Sequence, residues 1–173
     1  MRWMLLFVAL GAAGPAHPPV VPPVPVGARI AAAPTVLDSL VGSWSGEGTL
    51  MGRPGSFHMA WSATEVPGVH SLAFGNAFRS DDGSETPVLS AHATYRTGED
   101  GSVDGVWFDT RGVRIELSGR VDADRLRVEW TAPTEAGVTV YGWPGNGSVD
   151  VVDSVRTAEG VREFGRASYQ RLR

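Results

Sequence analysis

The chain has 173 residues, a net charge of −4 and 42% hydrophobic side chains, enough for one ordinary domain with a real core. It contains no Cys, and its 15 basic residues are all Arg, which excludes disulfides, thiolate metal sites, a cysteine nucleophile and Schiff-base or P-loop lysines. The acidic balance argues against nucleic acid as a partner, and 22 Gly with 12 Pro argue for turns, strands and linkers over long helices.

Residues 1–16, MRWMLLFVALGAAGPA, read as a signal peptide: Arg2 supplies the positive start, Met4 to Gly11 an apolar run too short to span a bilayer, and Ala16 a small residue for cleavage. The expected destination is the periplasm or the cell exterior, with no transmembrane segment in the mature protein. Residues 17–34 carry Pro at 18, 19, 22, 23, 25 and 34, a composition that favours polyproline II and reads as a spacer. Residues 35–173 then form the folded domain.

Thr35 to Val41 suits one or two helical turns capped by Thr35 and ended by Gly42. Strands are expected near 43–51, 55–66, 69–79, 86–97, 103–110, 112–122, 125–132, 137–143, 148–157 and 160–172. Turn signals such as Asp82-Gly83, Asp100-Gly101 and Asn146-Gly147 separate them. Val113, Ile115, Leu117 and Val121 alternate with Arg114, Glu116, Ser118 and Arg120, and Leu126, Val128 and Trp130 alternate with Arg125, Arg127 and Glu129. Period-two patterning of this kind gives a sheet with one buried and one wet face. A meander of about ten strands curls and closes, so the expected fold is an all-β, antiparallel, up-and-down barrel behind a short helix.

The residues also carry a resemblance. Gly42-Ser43-Trp44, after a helical segment and opening the first strand, resembles the Gly-x-Trp signature of the calycin barrels, which include lipocalins and fatty-acid-binding proteins. The longer string LVGSWSGEGTL (40–50) is similar to nitrobindin-like barrels and to a related bacterial secreted family of unknown function. Further pieces resemble that second, bacterial family: Val106 to Asp109 followed by Gly112, Val151 to Val155 followed by Gly160, and Phe164 to Arg166 followed by Tyr169 and Arg171. The resemblance implies a calycin barrel with Trp44 as the plug of one end and an Arg of the last strand, Arg171 or Arg173, stacked across it. Nitrobindins hold haem through a His near the C-terminus. The last strand here has none, so the resemblance transmits no haem, and no cofactor is predicted.

Candidate ligand contacts follow from strand faces. Phe57, Met59 and Trp61 share one face, as do Leu72, Phe74, Asn76 and Phe78. Asn76 is the polar member of an apolar row and needs either neighbouring strands, water or a ligand as its partner. Trp107 and Asp109 share a face, and offer a ring and a carboxylate to a ligand or cap the Arg111-Gly112 turn. Tyr141 and Trp143 share another. Glu163 falls with Gly165, Ala167 and Tyr169, leaving Phe164, Arg166 and Ser168 opposite, where Arg166 is either an outer-surface residue or an interior anion hook. The candidate ligand-binding set is therefore Trp61, Phe74, Asn76, Trp107, Asp109, Tyr141 and Arg166, with Gly42, Trp44 and Arg171 as the structural motif. His58 and His92 fall on outward faces and His70 near the barrel mouth, with no metal-ligand spacing among them. No catalytic motif is visible: Gly42-Ser43-Trp44-Ser45-Gly46 has Trp where a nucleophile elbow has Ser. The expected role is non-covalent binding of a small apolar or amphipathic molecule inside the barrel. The alternatives are a haem-associated nitrobindin-like enzyme or a packed accessory domain of the cell envelope with a protein partner.

Overall fold

The structure, a computed structural model, describes residues 36–143 and 147–173. The expected signal peptide and Pro-rich spacer, residues 1–34, lie outside the described residues. The described chain is a short helix, α1 (Val36–Leu40), followed by ten strands. These are β1 (Gly42–Leu50), β2 (Arg53–Ala63), β3 (Val69–Arg79), β4 (Glu85–Thr97), β5 (Ser102–Asp109), β6 (Arg114–Val121), β7 (Arg125–Thr131), β8 (Ala136–Gly142), β9 (Ser148–Thr157) and β10 (Gly160–Arg171). Each strand pairs antiparallel with its sequence neighbour, and β1 also pairs with β10, which closes the barrel. Closure leaves no strand with an unpaired edge.

The alternation read from the sequence sets which side chains fill the barrel. Ile115 and Leu117 on β6, and Leu126 and Val128 on β7, are buried, while Arg114, Glu116, Arg125 and Arg127 face water. The outer face carries exposed ion pairs such as Arg96 with Asp104 at 3.0 Å and Arg114 with Glu116 at 2.9 Å. Pairs of this exposure contribute less than about 1 kcal/mol each. They keep the wall soluble, and the inward faces hold it together.

Because the chain runs up and down, the two ends of the barrel are made by different strand ends. At one end, α1 lies across the opening and buries Leu37 and Leu40 completely. Trp44 follows, 3% exposed, and donates its indole N–H to the Leu40 carbonyl at 2.8 Å. The Arg171 guanidinium carbon sits 4.3 Å from the Trp44 ring centroid, and its nitrogens donate to the carbonyls of Ser39 and Val41. Gly42 makes this possible. Its φ is +135°, and a Cβ there would run into the Arg171 guanidinium. Trp61, 2% exposed, packs against Tyr95 with ring centroids 4.9 Å apart and planes tilted by 39°.

His70 belongs to this closed end and not to the mouth. β3 starts at the helix end, so its first inward residue is placed beside α1, where the His70 ring is 2% exposed and its Nε2 lies 2.9 Å from Asp38 Oδ1. His58 and His92 are exposed on the outer face.

The opposite end is irregular. The register slips between Glu163 and Gly165 on β10 and between Asn76 and Ala77 where β3 meets β4. The first bulge corrects the expected face of Phe164. The extra residue breaks strict alternation, so Phe164 turns inward while Arg166 and Ser168 stay exposed. The Met51 backbone N–H bonds the Phe164 carbonyl at 2.6 Å, tying the β1–β2 turn to this bulge.

Candidate functional site

Above the plug the barrel is hollow. A cavity of about 410 Å³ occupies its upper half. Its wall is mainly apolar and aromatic: Met59, Phe74, Trp107, Ile115, Leu117, Val128, Trp130, Tyr141, Val151, Phe164 and Tyr169 all reach it. The rings make an interlocked lining. Phe74 and Trp107 have centroids 5.5 Å apart, Trp130 and Phe164 meet edge to face at 6.4 Å, and Tyr169 is backed by the buried Phe57, edge to face at 6.2 Å. Gly137 makes room for Trp130, since a Cβ at that position would collide with the indole. At the rim stand Met51, Val88, Arg111, Glu135 and Arg162.

The cavity's polar content is sparse and concentrated. Asp153 sits half-way up β9, in the row of Val149 and Val151, with Thr139 of β8 and Gly165 of β10 as its neighbours across the strands. The Thr139 hydroxyl donates to Asp153 Oδ1 at 2.6 Å. Gly165 lets the carboxylate lie flat against β10: a Cβ there would stand 3.3 Å from Asp153 Oδ2. Protein surrounds Asp153 on all sides except the cavity. Burial therefore raises its pKa from 3.8 to about 6, against the opposing hydrogen bond from Thr139. No ion pair neutralises it among the described residues. Three tyrosines feel it. Burial pushes the hydroxyls of Tyr95, Tyr141 and Tyr169 well above the ordinary phenol range, and the nearby Asp153 charge raises each further. Asn76 faces the same cavity, and its side-chain oxygen has no hydrogen-bond partner among the described residues.

The structure separates the candidate residues into distinct places. Phe74, Asn76, Trp107 and Tyr141 line the cavity. Trp61 lies beneath it in the plug, against Tyr95 and Tyr141. The Asp109 side chain is fully enclosed and acts on Trp107, accepting its indole N–H at 3.1 Å. It also accepts the Arg111 backbone N–H at 2.9 Å and the Arg111 guanidinium at 2.7 Å. Burial opposes ionisation of Asp109, but the bonds from Arg111 and Trp107 win and hold its pKa below the usual value. Arg166 points outward, 58% exposed and 2.7 Å from Glu163, and takes no part in the cavity.

Asp153, Thr139, Tyr95, Tyr169, Trp130 and Phe164 are not among the ligand contacts expected from the sequence. The signal for Asp153 was its parity: it shares a face with Val149, Val151 and Val155, the same kind of odd polar member that drew attention to Asn76. Imidazole does not figure in the site. Among the described residues no His lines the cavity, so histidine ligation of haem, the arrangement of nitrobindins, does not fit the residues present. No group of three or more His, Asp or Glu that could hold a metal ion occurs among the described residues.

With this geometry in view, comparison with known proteins is informative about the fold. No family model and no curated protein matches the sequence. Among solved structures, the crystal structure of Rv2717c from M. tuberculosis is similar, with a TM-score of 0.59 and 22% sequence identity, over 79% of this chain and 95% of that one. The shared feature is the barrel. Among the described residues no helix is long and apolar enough to cross a membrane.

Proposed function

We propose that the protein is an exported, calycin-like barrel that binds a small apolar or amphipathic molecule non-covalently in its interior. The observation that carries this reading is the cavity: about 410 Å³, open at one end, walled by aromatic rings and holding few polar groups. That is the form of a small-molecule site, where apolar contact supplies affinity and isolated polar atoms set orientation. The same void argues against a domain packed solid for a purely structural role, because an unfilled core of this size forgoes dispersion contacts. Export rests on the hydrophobic segment of residues 1–16 and the Pro-rich stretch behind it.

The test is native mass spectrometry of the protein purified from its own cell envelope, paired with tryptophan fluorescence during titration with an uncharged apolar probe such as N-phenyl-1-naphthylamine. A discrete added mass, or saturable quenching of Trp107 and Trp130, is expected. A bare chain with no fluorescence response overturns binding. The chain mass also tests export: loss of residues 1–16 from protein recovered outside the cytoplasm is expected, and an uncleaved cytoplasmic chain overturns it.

A further inference from the structure

We propose that the molecule bound in the cavity carries a protonated amine and that Asp153 is the group that receives it; this rests on the cavity-binding reading above. Three observations converge. The first is the placement of charge. Among the described residues Asp153 is the one carboxylate in the cavity interior, half-way up β9, and Thr139 supplies the hydrogen bond given to it by a described side chain. A buried carboxylate without a cation is costly, and a ligand cation is the partner that the wall omits.

The second is that every titratable neighbour leaves that role open. From β8, Asp153 meets Thr139 and the neutral Tyr141; from β10, the neutral Tyr169; from across the barrel on β4, the neutral Tyr95. The charged groups that line the cavity stand at its rim: Arg111, Glu135 and Arg162. Arg111 is engaged by Asp109 at 2.7 Å and by Glu135 at 3.4 Å. Arg162 is exposed to water at the start of β10. A carboxylate headgroup resting on Arg162 would send its apolar tail down past Asp153, placing the acid against hydrocarbon. An amine inverts this arrangement, charge inside and tail among the rings.

The third is the shape of the remaining lining. Asn76 adds an unpartnered acceptor to the same cavity. Trp107, Trp130, Tyr141 and Tyr169 present aromatic rings, and ring faces attract cations. Among the described residues the site thus has acceptors and π-faces inside and no interior cation, a donor set suited to an ammonium and poorly suited to an anion.

Three probes of equal chain length discriminate: octylammonium, octanol and octanoate, each titrated against the full chain at neutral pH by calorimetry and tryptophan fluorescence. Octylammonium is expected to bind at least about tenfold more tightly than octanol, the worth of one charged hydrogen bond, with octanoate weakest. Asp153→Asn is expected to bring octylammonium to the affinity of octanol while leaving octanol within about twofold. On the unmodified chain, which needs no folded variant, lowering the pH below about 6 is expected to do the same, because Asp153 then takes up a proton. Equal or tighter binding of octanol or octanoate overturns the amine assignment alone. So does an octylammonium preference that survives both Asp153→Asn and low pH. Failure of all three probes to bind overturns the cavity reading and the amine assignment with it.

Discussion

The two ends of this barrel solve opposite problems with the same kinds of residue. At the closed end a tryptophan, an arginine and a glycine interlock: Trp44 is 3% exposed, bonded to Leu40 and covered by Arg171. At the open end tryptophans again dominate, but Trp107 and Trp130 face a void, and Arg111 at the rim is turned to Asp109 and Glu135. The backbone follows suit. The plug is built on unbroken ladders between β1 and its neighbours, while both register shifts that bound the cavity occur toward the mouth. Regular pairing accompanies the filled end, and both bulges fall at the hollow one. The same aromatic side chain is thereby a stabilising element in one place and a binding surface in the other.

Matched substitutions break or sharpen this contrast. Trp44→Ala is expected to cost about 3–5 kcal/mol in urea unfolding, since it removes a buried ring from a filled site. Trp107→Ala, the same change against the cavity, is expected to cost about 1–2 kcal/mol, because part of that ring already contacts empty space. Equal costs would mean that the two ends are packed alike.

Asp153→Asn tests the cavity from the other direction, as a stabilising change. The folded chain holds the Asp153 proton up to about pH 6, the unfolded chain only to about 3.8. Between these values the folded state binds more protons, so stability falls as pH rises through that window and the loss is complete above it. The difference corresponds to about 3 kcal/mol. The Asn variant is therefore expected to be more stable than the natural chain by about that amount at pH 7–8, and indistinguishable from it below about pH 4, by chemical denaturation across pH.

Smaller effects refine the picture. Arg171→Leu is expected to lose about 1–2 kcal/mol, from the cation–π contact and its two carbonyl hydrogen bonds, with no change in probe binding. Arg166→Ala, on the outer wall beside Glu163, is expected to change stability by less than about 0.5 kcal/mol and binding not at all. A binding defect in Arg166→Ala would return that residue to the site.

The wall was far more legible in the sequence than the hole. Alternation at 113–121 and 125–131 fixes which side chains face inward, and glycine-bearing turns mark where each strand ends, so the ten strands and the closed barrel follow from local chemistry. The same parity puts Asp153 in the row of Val149 and Val151, but it leaves Arg166 open between outer surface and interior, and only the structure turns Arg166 outward. Phe164 escapes it because a bulge is one residue of broken period, and nothing in VREFGRAS announces where the extra residue will fall. His70 escapes it for a different reason. Parity gives the face of a side chain but not its height, and height requires following the chain up β1, down β2 and up β3 from the helix. The cavity itself depends on how rings from six or more strands divide a common space, which no single strand encodes.

The seam between β1 and β10 has a consequence for the chain during its synthesis. The strand that completes the barrel, β10, is made after the other nine, and its residues Gly165–Arg171 pair with Trp44–Leu50 of the first strand. Until they emerge, β1 and β9 are both open edges, each with a free row of N–H and C=O groups. The plug is incomplete over the same interval, because Arg171 is absent from Trp44. A chain stopped before residue 160 is thus an open sheet prone to pair with its like, and only the final twelve-residue strand converts it into a closed body.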